Sequence, residues 1–225
     1  MHAHPVDRRP KPRFARIIAR RYQTYRVLAL VVAALLLPAI YVSLTMMNRP
    51  IFALGSGILI VTCGVLIGSS VWWRRRSKQA AIGDRAETEA VHLLRDVLPH
   101  FICTENVAYE GGDMDIVLLN EKDRVVLVIE VKAYYKVDER IDDALKQARR
   151  AAYAMKRRYQ AEGTLAYVVE RMHDINDVFR NALIIVPLVV LPLSRGVAGN
   201  PFVFTKVNVT ALPLLIDRLR SLRDA

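Results

Sequence analysis

Two uncharged stretches, residues 27–47 and 51–73, constrain this chain more than any other feature. They hold 21 and 23 residues. A helix needs about 20 apolar residues to cross the hydrocarbon core of a bilayer, so each is expected to be a transmembrane helix. Asn48-Arg49-Pro50 is the turn between them, with Pro50 suited to the first turn of the second helix. Tyr41, Trp72 and Trp73 fall near the ends of the runs, where amphipathic rings are favoured.

Charge orients this hairpin. The formal net charge is +11, which first suggests nucleic acid. Residues 1–77 hold twelve Lys or Arg against the single acid Asp7, whereas residues 78–225 balance 21 bases with 21 acids. The excess therefore flanks the apolar runs, and membrane topology explains it before a DNA-binding surface does. Arg8, Arg9, Lys11, Arg13, Arg16, Arg20, Arg21 and Arg26 precede the first run, and Arg74, Arg75, Arg76 and Lys78 follow the second. The positive-inside rule places both termini in the cytoplasm of a cell whose inner membrane holds the hairpin. A cleaved signal peptide is disfavoured by the length of the basic segment and by the second run.

Neither run carries an ionisable residue, which argues for an anchor over a transporter. Gly64 and Gly68 form a GxxxG pair, read either as close packing, within the hairpin or between copies in a homo-oligomer, or as ordinary membrane-helix glycines. Cys63 and Cys103 are isolated thiols, unlike a disulfide framework. The five histidines show no ligand spacing, and no CxxC is present, which argues against structural zinc.

The expected organisation is a basic segment at 1–26, the hairpin at 27–73, a basic linker at 74–79 and a cytoplasmic domain at 80–225. Within that domain, residues 80–98 read as an amphipathic helix ended by Pro99. Residues 101–109, 114–119 and 124–134 read as strands, joined at Gly111-Gly112 and by a polar turn at 120–123. Residues 138–159 read as a helix with acids early and bases late. Residues 165–172 suit a short helix, 182–191 a strand broken at Pro187, and 202–209 a further strand. Thr210 is a candidate cap for a final helix. The fold class is α/β, a mixed sheet with helices on its faces.

One strand carries unusual charges. Residues 125–131 are apolar except for Glu130, and Lys132 follows at once. Such a strand is normally buried on both faces, where a charge is costly unless it pairs or binds something. Alternation puts Glu130 and Lys132 on one face. A turn pairing Leu119 with Arg124 would set Asp115 opposite Val128, a diagonal neighbour of Glu130 on that face. Two carboxylates so held suit a hard divalent cation, and Lys132 beside them can stabilise developing charge. The competing reading is an ordinary Glu–Lys pair on a solvated strand.

These residues belong to a wider pattern. Gly83-Asp84-Arg85-Ala86-Glu87, Leu93-Leu94, Met114-Asp115, Val128-Ile129-Glu130-Val131-Lys132 and Gln147 occur in order over about 65 residues. The stretch resembles the NERD family, the nuclease-related domain of the restriction-endonuclease-like PD-(D/E)xK superfamily. Ala86 stands for the family's second glycine, and Tyr134-Tyr135-Lys136 where a glycine is frequent. The resemblance implies a restriction-endonuclease-like mixed sheet, with Mg²⁺ or Mn²⁺ held by Asp115, Glu130 and Glu87. It implies that Lys132 assists the attacking water and that Gln147 orients the site, with Glu89 the alternative to Glu87. Asp113 adds an acid where the family often has Gln; it either tunes metal binding or faces solvent.

Lys146, Arg149 and Arg150 share a helix with Lys156, Arg157 and Arg158. This face is a candidate for nucleic-acid phosphates; a solvated surface or anionic lipid headgroups are the alternatives. The expectation is a membrane-anchored nuclease hydrolysing DNA or RNA. A tethered interaction module that keeps the fold without cutting is the second reading, favoured by the neutral charge of the domain. A membrane scaffold is the third, resting on the glycine pair alone.

Overall fold

The computed structural model describes residues 14–45, 50–135, 140–171 and 182–224. Arg8, Arg9, Lys11 and Arg13, the Asn48-Arg49 turn, Lys136 and the expected helix start at residue 138 lie outside these. The chain divides into two compact units, Met1–Asp84 and Arg85–Ala225.

The first unit holds helix α1 (Phe14–Thr45) and the opening part of helix α2 (Pro50–Val97). Tyr25 of α1, just ahead of the first apolar run, stacks on Trp73 of α2 with ring centroids 5.6 Å apart. Trp73 meets Trp72 edge-on at 4.9 Å, and the Arg76 guanidinium lies 4.4 Å from the Trp72 ring centroid. The start of one apolar run thus lies against the end of the other, which makes the helices antiparallel. Among the described residues, no helix is long and apolar enough to cross a membrane. The side chains of 51–60, much of the second run, lie outside that description. Among the described residues, a Cβ built at Gly64 or Gly68 meets nothing within 4 Å.

α2 does not stop where the apolar run ends. The basic 74–79 stretch, expected as a linker, is helical, and the amphipathic helix anticipated from residue 80 is its continuation to Val97. Arg, Lys, Gln and Ala are good helix formers, and no proline interrupts them.

The second unit is a six-stranded mixed sheet flanked by helices. Strands β1 (Ile102–Tyr109), β2 (Gly112–Asn120) and β3 (Val125–Val131) form an antiparallel meander. β5 (Leu183–Leu191) lies parallel to β3, and its other edge holds β4 (Ala166–Val168) and β6 (Val203–Thr205). Helix α3 (Ile141–Ala161) crosses over from β3, and α4 (Leu212–Asp224) closes the chain.

Apolar layers cover both sheet faces. Ile116, Leu118, Leu127 and Ile129 cluster with Ala90 and Leu94 of α2 and with Leu212, Ile216 and Leu219 of α4. Val117, Val126, Val128 and Ile185 cluster with Ala151, Ala152 and Met155 of α3. β3 and β5 are sandwiched between the layers, which is why they read as continuous apolar runs.

Several elements differ from expectation. β5 is not broken at Pro187 but runs through it. Its odd-numbered residues face β4 and β6: the Leu183 N–H donates to Leu165 O and the Val189 N–H to Phe202 O. Pro187 shares that parity and falls where the edge passes from β4 to β6, so its missing N–H removes no ladder bond. Residues 166–168 form strand β4 rather than a helix, because β5 offers an open edge there. The strand expected over 202–209 is only β6; Asn208 Oδ1 accepts from the Thr205 N–H and hydroxyl and turns the chain into a 3-10 turn at Val209–Ala211. Thr210 lies inside that turn and caps nothing.

The β2–β3 turn is locked from two sides. Asp123 is buried; its carboxylate accepts from Asn120 Nδ2 at 2.6 Å and from the Arg220 guanidinium of α4. Asn120 Oδ1 accepts the Asp123 N–H at 3.1 Å. Asp123→Ala removes the acceptor for both donors and is expected to cost roughly 1–3 kcal/mol, measured by denaturant unfolding.

Candidate functional site

The site forms where β2 and β3 part. Their register pairs Asn120 with Val125 and Ile116 with Ile129; one step further sets Asp115 directly opposite Glu130. This corrects the expected pairing with Val128 by two residues while keeping both carboxylates on one face. The ladder ends at Ile116–Ile129, and there a side chain takes over: Asp115 Oδ2 accepts the Val131 N–H at 2.7 Å. On the other side of β3, the Lys132 N–H donates to Val190 O at 3.0 Å. The main chain that carries Glu130 and Lys132 is therefore held from both neighbouring strands.

Lys132 Nζ donates to Glu130 Oε1 at 2.6 Å, with side-chain exposures of 25% and 13%. Burial pushes the Asp115 carboxyl up to about 7, and the Glu130 charge adds to the rise. The Val131 N–H and Lys132 oppose it, and Glu87 raises it further. Glu87 thus stands close enough for its charge to reach Asp115. Glu89 serves elsewhere: Lys206 Nζ donates to its Oε1 at 2.6 Å and holds its carboxyl below the usual range. Of the two candidate glutamates on α2, Glu87 is the one whose charge reaches Asp115, whereas Glu89 is paired with Lys206.

Among the described residues, no group of three His, Cys, Asp or Glu side chains is placed to hold a metal ion. The structure opposes Asp115 and Glu130 and leaves Glu87 outside such a group. Two facing carboxylates, one of them half-buried and driven towards protonation by that burial and then by the other's charge, have the donor chemistry of a hard divalent cation. Mg²⁺ is commonly held by one or two carboxylates with water and phosphate completing its shell, so the residues fit.

Beside this pair lies an open groove of about 930 Å³. Glu130 and Gln147 line it together with Lys146, Arg149 and Arg150, so five of the residues singled out in the sequence share one cavity. Asp113 is exposed on the opposite wall. Of the later bases on α3, Arg157 joins the groove, whereas Arg158 lies 3.5 Å from Glu162 and Lys156 lies near the Tyr153 ring. Tyr109 and Tyr153, which sequence reasoning missed, also line it. Their signal was available for Tyr153, since 146, 149–150, 153 and 157 follow one helical stripe; Tyr109 enters only through the hairpin geometry.

Compared with protein-family models, curated proteins and solved structures, the chain matches none. Its functional reading therefore rests on these residues and their arrangement.

Proposed function

We propose that this chain is a membrane-anchored, Mg²⁺- or Mn²⁺-dependent nuclease of the NERD type, hydrolysing phosphodiester bonds of DNA or RNA on the cytoplasmic face. The observation that carries this reading is Asp115 facing Glu130 across β2 and β3, with Lys132 bonded to Glu130 and a basic groove alongside. Asp115 and Glu130 hold the cation, and Glu87 acts on the site through its charge. The bound cation supplies Lewis-acid polarisation of the phosphate and a more acidic water. Lys132 stabilises negative charge that develops next to Glu130, and Gln147, which lines the groove, contacts the substrate. Lys146, Arg149 and Arg150 position phosphates without reading sequence. The full chain in detergent micelles should hydrolyse single- or double-stranded DNA or RNA with Mg²⁺ and stop when the metal is chelated.

The anchor is part of the same reading. The two uncharged runs, the basic residues flanking them and the Tyr25–Trp73 stack at one end of the hairpin support two spans with cytoplasmic termini. Protease added outside sealed inverted membrane vesicles should digest residues 78–225, and protease outside right-side-out vesicles should leave them intact. The reverse pattern would overturn the topology.

Two observations favour a second reading, a tethered module that binds without cutting. Lys132 is engaged by Glu130, and among the described residues no three-ligand group exists. Nucleic-acid binding with no hydrolysis under any divalent cation would establish it.

A further inference from the structure

The groove has two chemically different walls. One is the α3 stripe from Lys146 to Arg157, which carries Lys146, Arg149, Arg150 and Arg157. It is about 16 Å long at 1.5 Å per residue. The other is the β1–β2 hairpin tip, where Glu110 and Asp113 flank the bare Gly111-Gly112 turn. Phosphates are attracted to the first wall and repelled by the second.

Each wall also presents an aromatic ring held in place. Tyr109 lies against the hairpin turn so closely that a Cβ at Gly111 would sit 2.7 Å from its Cε2. The turn and the ring are therefore matched, and Gly111 is required for the ring to lie there. On α3, the Tyr153 hydroxyl donates to Glu170 Oε1 at 2.5 Å, which fixes a ring that is 42% exposed. Rings fixed beside a basic track form a stacking platform for unpaired bases, and every base has a face to offer.

A duplex is read by elements that protrude into its grooves, the major groove being about 12 Å wide. Here the basic face of α3 is one side of a concavity, and the hairpin tip stands opposite it. A single strand can use both the phosphate track and the rings of such a concavity, whereas the bases of a duplex are already stacked on one another.

Building on the nuclease reading, the geometry points to single-stranded nucleic acid as the substrate class. Its phosphates follow α3 and its bases stack against Tyr109 and Tyr153 on the way to Glu130.

Fluorescence anisotropy tests this on the full chain in detergent micelles, with chelator present so that nothing is cut. The probes are a labelled strand of about 12 nucleotides, within the span one such surface covers, and the same strand in a duplex. The single strand is expected to bind at least about ten-fold more tightly. Tyr109→Leu and Tyr153→Leu should each weaken single-strand binding by about ten-fold and leave duplex binding unchanged. Tyr109→Phe should retain it, and a thermal melt of each variant identifies any that fail to fold. Arg150→Ala and Arg157→Ala should weaken both ligands and lower the salt dependence by about one counterion each. A duplex that binds as tightly as the strand overturns the inference alone, as do folded Tyr109→Leu and Tyr153→Leu variants that bind the strand like the parent. Binding of neither probe overturns the nucleic-acid reading itself, and the inference with it.

Discussion

Lys132→Ala is expected to keep divalent-cation binding and to lower hydrolysis by roughly 10²–10³-fold, the usual loss when one donor to a developing oxyanion is removed. The reason the effect is chemical lies in the backbone. The Lys132 N–H is bonded to Val190 O, and its neighbour Val131 is bonded to Asp115, so truncating the side chain leaves the strand where it is. Glu130 loses its 2.6 Å donor, which makes the carboxylate pair more demanding of a cation, not less. Lys132→Arg should not restore the rate, because a planar guanidinium cannot replace a compact ammonium at one carboxylate oxygen. Single-turnover rates with saturating metal, beside a metal titration of the same variant, separate the two effects.

The second large effect concerns Asp115 and pH. Its carboxyl titrates at about 7 in the folded chain, against about 4 for an unfolded aspartate. Between those values the folded state holds a proton that the unfolded state has released. Metal-free stability is therefore full below about pH 4 and falls as pH rises through about 7. The loss amounts to roughly 4 kcal/mol if the whole difference is realised. Asp115→Asn keeps an acceptor for the Val131 N–H and carries no charge, so it should flatten this profile. It should be more stable than the parent at pH 8 without metal, yet bind metal poorly and cut nothing. Saturating Mg²⁺ should flatten the profile of the parent and leave that of the variant unchanged. Denaturant unfolding at pH 5 and pH 8, with and without Mg²⁺, measures all four states. A parent slope that survives in Asp115→Asn would assign the titration to another group.

The strand carrying Glu130 and Lys132 was legible because a buried strand tolerates charge only with a partner, and alternation assigns both residues one face. The register was not, because it depends on which four residues turn. Arg124 adopts a left-handed φ of 52°, and Asn120 and Asp123 bond each other across the turn. Together they move the turn to 121–124 and bring Asp115 into direct opposition with Glu130. Nothing in the residue types announces an arginine in that conformation. Pro187 misled for a related reason: proline breaks a strand whose edges are both paired, and only topology shows that this edge changes partner there. The groove was half legible. The basic stripe of α3 follows from helical spacing, but its opposite wall comes from a hairpin that folds back from elsewhere in the sheet.

Calorimetric titration of Mn²⁺ into the full chain at pH 7.5, beside Asp115→Asn, tests the central claim most directly. One site per chain, absent in the variant, is the expected result. A parent that takes up no metal, or a variant that binds it equally well, would contradict an Asp115–Glu130 cation site and with it the nuclease reading.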